Sequence, residues 1–139
     1  MILVVDASVA LKWFFRTADD ETDAASALEI LEGVASGGIE LVQPPHFIAE
    51  MAAVLVRKKL TGALEDLRDL QDVSMRTAGG PDLHLVAADI AMRTSAHVFD
   101  TLYHAAALLN PPAELVTADG RYYRSARHLG NIRLLEETA

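Results

Sequence analysis

Short runs of apolar residues alternate with longer segments of helical periodicity along most of the chain. The apolar runs predict short buried strands, which cover residues 1–5, 39–42, 115–117 and 132–135. Residues 83–86 predict a further strand or an extended entry into the next helix. Helices are predicted over residues 7–15, 21–35, 47–59, 64–75, 87–94, 99–109 and 120–128. This alternation predicts an α/β protein whose parallel sheet is covered by helices on both faces.

Length and composition favour one compact domain over residues 1–139, because the chain has neither an internal repeat nor a long linker. Hydrophobic residues make up 51%, which argues against disorder, yet no run reaches the ~20 apolar residues of a membrane span. Asp6 and Lys12 interrupt the apolar opening and no basic segment precedes it, so we interpret it as a strand and helix and not as a signal peptide. The absence of cysteine excludes disulfides and thiolate ligands, and we expect a cytoplasmic location.

Acidic residues occupy four notable positions along this pattern. Asp6 follows the first predicted strand and Asp119 follows the strand at 115–117, whereas Glu50 and Asp100 lie inside otherwise apolar helical stretches. A buried carboxylate without a partner costs several kcal/mol, so such groups are usually paired, neutralised or bound to a metal. Ligands of parallel sheets bind beyond the carboxyl ends of the strands. If the four residues converge there, the natural occupant is a divalent cation and the natural chemistry is phosphodiester cleavage.

Each acidic residue also has a purely local explanation. Asp6, Asp100 and Asp119 each stand where an aspartate commonly caps a helix or closes a turn. Glu50 lies early in a predicted helix, where the helix dipole favours a negative charge. These explanations are simple one at a time, but they do not predict all four residues together.

The charge balance gives no direct support for binding to nucleic acid. The formal net charge is −8, from 12 Lys and Arg residues against 20 Asp and Glu residues. Phosphate backbones are normally bound by basic surfaces. Basic residues do cluster locally, at 57–59 and at Arg121, Arg124 and Arg127, while the acidic total suits a basic protein partner. Charge alone therefore leaves the question open.

The acidic residues belong to four longer motifs whose order resembles that of a known family. The motifs are VVDAS, PHFIAEMAAVL, VFDTLYHAAAL and LVTADGRYYRSA. They resemble the acidic motifs of the PIN domain, and in length and context the chain is most similar to VapC-type ribonuclease toxins. The resemblance implies a PIN-like three-layer α/β/α fold with a central parallel sheet. It also implies a Mg²⁺- or Mn²⁺-dependent endoribonuclease, inhibited by a cognate antitoxin and commonly assembled as a homodimer or toxin–antitoxin hetero-oligomer.

The resemblance also suggests a role for each motif residue. Asp6 and Asp100 are the expected principal metal ligands, because Mg²⁺ and Mn²⁺ prefer oxygen donors. Glu50 and Asp119 would complete the site directly or through water and orient the attacking water. In supporting positions, Ser8 and Thr117 each stand two residues from an aspartate, where a hydroxyl can orient a carboxylate or a bound water.

Other conspicuous side chains have simpler interpretations. His104 lies one helical turn after Asp100, and we expect a structural role for it or a place at the rim of the site. The histidines at 46, 84, 97 and 128 show no spacing typical of metal ligands and are expected at the surface or in packing contacts. The aromatic residues 13–15 are expected to pack against the core or a partner. Residues 57–59 are most simply a solvated helix end.

Three other functions remain open from the sequence. The first is a PIN nuclease that processes RNA without acting as a toxin, and the second is a catalytically silent binding module with the same fold. Retention of all four acidic residues argues against the second. The third is a phosphohydrolase or receiver-like protein, but the former usually needs a second aspartate two residues after the first, where this chain has Ser8. A Gly-rich phosphate loop and a G-x-S-x-G motif are both absent.

Overall fold

The computed structural model describes residues 1–15 and 21–137, which form an alternating series of strands and helices. The strands are β1 (Ile2–Val5), β2 (Glu40–Gln43), β3 (Arg76–Thr77), β4 (Glu114–Thr117) and β5 (Ile132–Leu134). The α-helices are α1 (Ala7–Ala10), α2 (Glu21–Ser36), α3 (Phe47–Lys58), α4 (Ala63–Gln71), α5 (Leu83–Thr94), α6 (Val98–Leu108) and α7 (Gly120–Ala126). Short 3₁₀ turns follow α1, α7 and β5. Within these ranges, no helix is both long and apolar enough to cross a bilayer.

The sheet has the strand order β3-β2-β1-β4-β5, and every neighbouring pair is parallel. The chain moves outward from β1 through β2 to β3, and it then returns to the other side of β1 to form β4 and β5. The strand order therefore reverses between β1 and β4, which is where open α/β sheets bind their ligands. The predicted α/β fold with a parallel sheet is confirmed.

The register of β1 and β4 brings their carboxyl ends together. Val5 pairs with Val116, and the backbone N–H of Asp6 donates to the carbonyl of Val116 at 3.0 Å. The ladder thus continues one residue beyond β1. As a consequence, the loops that carry Asp6 and Asp119 leave the sheet side by side.

Helix α6 is the central helix of the core. Its residues 101–107 are all buried, and it packs against α5, β1 and β4. On another side of the core, Trp13 is buried and its indole N–H donates to the carbonyl of Ala27 at 2.8 Å. Because α6 is held so closely, Asp100 on its first turn has a well-defined position relative to the sheet.

The main differences between the predicted and the observed elements concern α5 and β3. Residues 83–86 were expected as a strand or extended entry, but they form the first turn of α5. Leu83, Ala87 and Ile90 of this helix are buried, and their spacing places one apolar face towards the core. Strand β3 was not predicted, since two exposed residues are too short for a period of two to be recognised.

Candidate functional site

Asp6 is both a helix cap and a polar group at the edge of the sheet. Its Oδ2 accepts from the backbone N–H of Ser8 at 3.2 Å, the Ser8 hydroxyl at 2.5 Å and the Thr117 hydroxyl at 3.4 Å. In the described part of the chain, no hydrogen-bond donor reaches Oδ1. Burial raises the pKa of Asp6 to about 6 against the effect of the Ser8 hydrogen bonds, and the negative charges of Asp100 and Glu50 add to the rise.

Asp119 repeats this arrangement at the end of β4. Its Oδ1 caps α7 by accepting from the backbone N–H groups of Arg121 and Tyr122 at 3.0 and 3.1 Å. Oδ2 again has no donor among the described residues. The local capping explanations of Asp6 and Asp119 are therefore correct, yet each cap occupies one carboxylate oxygen and leaves the other free for a ligand.

The hydroxyls of Ser8 and Thr117 join the two strand ends. Ser8 Oγ accepts from the backbone N–H of Ala118 at 3.0 Å, and Thr117 Oγ1 accepts from the backbone N–H of Asp119 at 3.1 Å. Both hydroxyls also donate to Asp6. These contacts hold the Asp6 carboxylate and connect the end of β1 to the end of β4.

Glu50 lies on the first turn of α3 and is held from two sides. The hydroxyl of the buried Tyr103 donates to Glu50 Oε1 at 3.2 Å, and His46 Nε2 lies 3.4 Å from Oε2. Burial, followed by the charge of Glu50, raises the pKa of Tyr103, so its hydroxyl remains a donor at neutral pH. These contacts fix the Glu50 side chain relative to α6.

Asp100 on the first turn of α6 differs from the other carboxylates because its side chain accepts no hydrogen bond from the described residues. Although the residue is exposed overall, partial desolvation by the surrounding protein atoms is the main cause that raises its pKa, and the charges of Glu50 and Asp119 add to the rise. The nearby His97 and His46 act in the opposite direction. The negative charges of Asp100 and the other three carboxylates thus lie close enough to affect one another's pKa. We call the four residues together the carboxylate edge (Asp6, Glu50, Asp100 and Asp119).

The carboxylate edge offers oxygen donors without enclosing an ion completely. Among the side chains that the structure describes, in residues 1–15 and 23–136, no three His, Asp or Glu form a group that could hold a metal ion by themselves. Mg²⁺ nevertheless needs only one or two carboxylates because it retains several waters. No hydrogen-bond donor of the described protein reaches Asp6 Oδ1, Asp119 Oδ2 or either oxygen of Asp100. These oxygen ligands therefore fit a hard cation that is held in part through water.

His46 was expected at the surface or in packing, and the structure gives it a more specific place. Its Nε2 lies 2.7 Å from the carbonyl oxygen of Phe99, and its ring packs on the rings of Phe99 and Tyr103 with centroids 5.7 and 4.8 Å away. His46 thus links the start of α3 to the first turn of α6. The spacing of four residues between His46 and Glu50 was the available sequence signal.

His104 lies in a separate group, the histidine network (His104, Tyr122 and Gly130). A carbonyl oxygen can only accept, so His104 Nε2–H donates to Gly130 O at 2.8 Å. In the neutral ring, Nδ1 then accepts from the Tyr122 hydroxyl at 2.9 Å. Burial lowers the pKa of His104 and favours this neutral form. The network agrees with the structural role expected for His104.

A cleft with a volume of about 360 Å³ adjoins the carboxylate edge. It is lined by residues 94–97, from the end of α5 to the start of α6, and by Arg121, Tyr122 and Ser125 of α7. Asp100 and Asp119 line the cleft as well as the edge. We call this feature the side cleft.

Comparison with known proteins places this architecture in a family. A PIN domain model matches residues 3–128, and the chain belongs to the PIN domain family. The predicted resemblance to the PIN domain family is thereby confirmed, and the observed sheet and helices form a PIN-like α/β/α fold. PIN domains are generally nucleases that use divalent metal ions.

Solved structures show the same fold. Twelve chains match, among them one from the crystal structure of VapBC2 from Rickettsia felis bound to a DNA fragment from its promoter. The TM-score is 0.66 at 14% identity, and the match covers 96% of this chain and 97% of the other. At this identity the likeness shows a shared fold. No match was found among curated proteins.

Proposed function

We propose that the protein is a metal-dependent endoribonuclease and the toxin component of a toxin–antitoxin pair. The observation that carries the nuclease proposal is the carboxylate edge at the reversal of strand order. Its capping aspartates each keep one oxygen without a protein donor, and Asp100 keeps both in the described structure. Asp6 is half-buried, and a purely structural carboxylate at its position would be expected to satisfy both oxygens within the protein.

The residues divide the chemical work between ion binding and water orientation. Asp6 and Asp100 would hold Mg²⁺ or Mn²⁺, with Glu50 and Asp119 contributing directly or through water. A bound cation supplies polarisation of the scissile phosphate and lowers the pKa of a coordinated water. Ser8 and Thr117 hold Asp6 through Oδ2 and leave Oδ1 for the ion. Glu50, fixed by Tyr103 and His46, is suited to orient the attacking water and accept its proton at a carboxylate oxygen.

The toxin proposal rests on family context and charge. The similar R. felis protein was crystallised as VapBC2 on promoter DNA, and this chain matches it over nearly its whole length. The net charge of −8 suits a basic antitoxin segment that approaches the carboxylates and competes with the metal. We accordingly propose a cognate antitoxin, an RNA substrate, a homodimer or toxin–antitoxin hetero-oligomer, and a cytoplasmic location.

The nuclease proposal is tested by RNA cleavage with Mn²⁺ and with EDTA. The intact chain should cleave only with metal, and Mn²⁺ should raise its Tm because the ion binds the folded state. Asp6→Asn should abolish cleavage and weaken the Tm response, since asparagine keeps the helix cap but removes the charge. Asp72→Asn, an exposed substitution beyond the end of α4, is the matched control and should behave as the intact chain does. Metal-independent cleavage or an unchanged Asp6→Asn would reject this assignment.

The toxin proposal is tested separately by induced expression without a partner protein. The intact chain should arrest growth, and Asp6→Asn or Asp119→Asn should relieve the arrest at equal protein level. Cleavage in the test tube without growth arrest would favour a PIN nuclease of RNA processing. Arrest that persists in both variants would instead point to toxicity from misfolding or sequestration.

A further inference from the structure

We propose that Gln43, the last residue of β2, is a positioning residue for the metal site, because its side-chain amide holds the peptide group that leads into Asp6. This inference rests on the proposed nuclease function, in which Asp6 is a metal ligand. It adds to that site a residue that lies outside the carboxylate edge. Gln43 acts through the backbone of Asp6 and contacts neither the ion nor the RNA.

The side chain of Gln43 makes two hydrogen bonds with a single residue of the neighbouring strand. Its Oε1 accepts from the backbone N–H of Val5 at 2.8 Å, and its Nε2 donates to the carbonyl oxygen of Val5 at 2.9 Å. The Gln43 residue is only 2% exposed, so water does not compete for these bonds. One amide thus supplies both the acceptor and the donor that a neighbouring backbone would supply in a β-sheet.

The sequence explains why a side chain is needed at this point. β1 and β2 are parallel, and the N–H of Glu40 donates to the carbonyl of Met1 at 2.9 Å. Donors of this kind recur at every second residue of a parallel ladder, so the carbonyl of Val5, four residues further along β1, corresponds to residue 44. Pro44 has no N–H to donate. The amide of Gln43 supplies the missing hydrogen bond.

The peptide group between Val5 and Asp6 is held from both neighbouring strands. Gln43 Nε2 binds its carbonyl oxygen from β2, and the carbonyl of Val116 accepts from its N–H at 3.0 Å from β4. Because the peptide group is planar, these two hydrogen bonds restrict the position of the Asp6 Cα atom. The hydroxyls that hold Oδ2 orient the carboxylate from that backbone position.

Gln43 also connects two members of the carboxylate edge. Its backbone pairs with Thr77 of β3, and its carbonyl accepts from the N–H of Ala78 at 2.8 Å, so the residue is anchored on its outer side. β2 then leads into α3, which carries Glu50 on its first turn. The placement of Asp6 relative to Glu50 therefore depends on the contact that the Gln43 amide makes between β2 and β1.

The experiment measures Mn²⁺ binding directly and not through cleavage. The electron paramagnetic resonance signal of free Mn²⁺ gives the Kd of the ion for each protein, at a temperature well below its Tm. Gln43→Met keeps a side chain of similar length but loses both hydrogen bonds. It should raise the Kd about tenfold, near the lower end of the range for residues that orient metal ligands. Gln43→Asn keeps an amide that is too short to reach both atoms of Val5, and its Kd should lie between the other two.

A control variant and a local measurement separate positioning from stability. Trp13→Phe also removes a buried hydrogen bond to a backbone carbonyl, that of Ala27 on another side of the core, and should leave the Kd of Mn²⁺ unchanged even where its Tm falls. Hydrogen exchange followed by NMR reports on the contact itself. In Gln43→Met the N–H of Val5 should exchange about tenfold faster, whereas that of Leu115 in β4 should change less.

The results distinguish this proposal from the nuclease proposal. If exchange at Val5 accelerates but the Kd of Mn²⁺ stays as in the control, Gln43 holds the strand without positioning a metal ligand and the proposal is overturned. Unchanged exchange at Val5, or an equal rise of the Kd in Trp13→Phe, also overturns it, while Mn²⁺ binding by the intact chain leaves the metal site standing. If the intact chain binds no Mn²⁺, the metal-dependent nuclease and the role of Gln43 fail together. Should Gln43→Met not fold, the same comparisons are decided by Gln43→Asn.

Discussion

His104 and Asp100 lie one turn apart on α6 but differ in burial and in hydrogen bonding. His104 is fully buried, and both of its ring nitrogens are engaged, by the Tyr122 hydroxyl and the Gly130 carbonyl. Asp100 is exposed at the start of the same helix, and its carboxylate accepts no hydrogen bond from the described residues. The histidine network is therefore closed within the protein, whereas the carboxylate edge keeps oxygen atoms for a ligand.

We infer that the histidine network contributes mainly to stability and that the carboxylate edge contributes mainly to function. A buried polar group with all its partners stabilises the fold and specifies one arrangement. A set of carboxylates that raise one another's pKa instead destabilises the folded protein until a cation binds. Substitutions in the histidine network should therefore change stability first, and substitutions at the carboxylate edge should change activity first.

Asp100→Asn should show the largest effect on activity. The substitution keeps the shape of the side chain and removes a proposed metal ligand, so the loss of cleavage should exceed the roughly 10–100-fold typical of an outer-sphere partner. The free energy of unfolding without metal should stay constant or rise, because one repulsive charge is lost. RNA cleavage assays and urea unfolding measure the two effects. A variant that keeps its activity would contradict the proposed role of Asp100.

His104→Ala should show the reverse behaviour. The substitution leaves a cavity and removes the partner of the buried Tyr122 hydroxyl, so the free energy of unfolding should fall by about 2–4 kcal/mol. Cleavage per folded molecule should remain within a few-fold of the intact chain, because the carboxylates are untouched. Both quantities are measured below the Tm of the variant. Inactivity like that of Asp100→Asn at unchanged stability would show that the two regions had been assigned the wrong way round.

The pH dependence of the free energy of unfolding tests whether Asp6, at the carboxylate edge, destabilises the folded protein. Its pKa is about 6 in the folded protein against 3.8 for an unperturbed aspartate side chain, so the unfolded chain releases this proton first as pH rises. The contribution of Asp6 to the free energy of unfolding is therefore unfavourable, and stability should fall as pH rises from 3.8 towards 6 and then level off. The full loss amounts to at most about 3 kcal/mol.

Asp6→Asn should remove this part of the pH dependence. Urea unfolding of both proteins in EDTA, between about pH 4 and about pH 7, gives the difference in slope. Mn²⁺ should restore stability to the intact chain at the higher pH and much less to the variant. Parallel pH profiles for the two proteins would show that Asp6 is not the group responsible.

His46→Ala tests the link between α3 and α6 and should have the smallest effect. Loss of the contacts to Glu50 and Phe99 should reduce cleavage by about tenfold and stability by about 1 kcal/mol. His46→Gln should recover part of the activity, because its amide can still donate to the Phe99 carbonyl. The two variants are also compared at equal stability. If His46→Gln then cleaves RNA as slowly as His46→Ala does, hydrogen bonding by His46 is not what positions Glu50.

The order of most elements and the position of the candidate site at the edge of the sheet were predictable from the sequence. Apolar runs and helical periodicity determine an alternating parallel sheet, because each strand must be covered on both faces. The position of Asp6 and Asp119 directly after strands, together with the order of the four motifs, then indicated the edge of the sheet and the PIN domain family. Strand β3 was missed because two exposed residues carry no period.

The partners of individual side chains were decided only by the tertiary structure. Sequence spacing cannot show that Asp6 uses one oxygen for Ser8 and Thr117 and keeps the other, since Thr117 is 111 residues away. It also cannot show that His46 meets Phe99 across 53 residues, or that His104 finds Tyr122 and Gly130. Local periodicity reports which face of an element is buried. Hydrogen bonding between distant residues depends on how the packed elements bring particular atoms within about 3 Å, and that distance exists only in the folded chain.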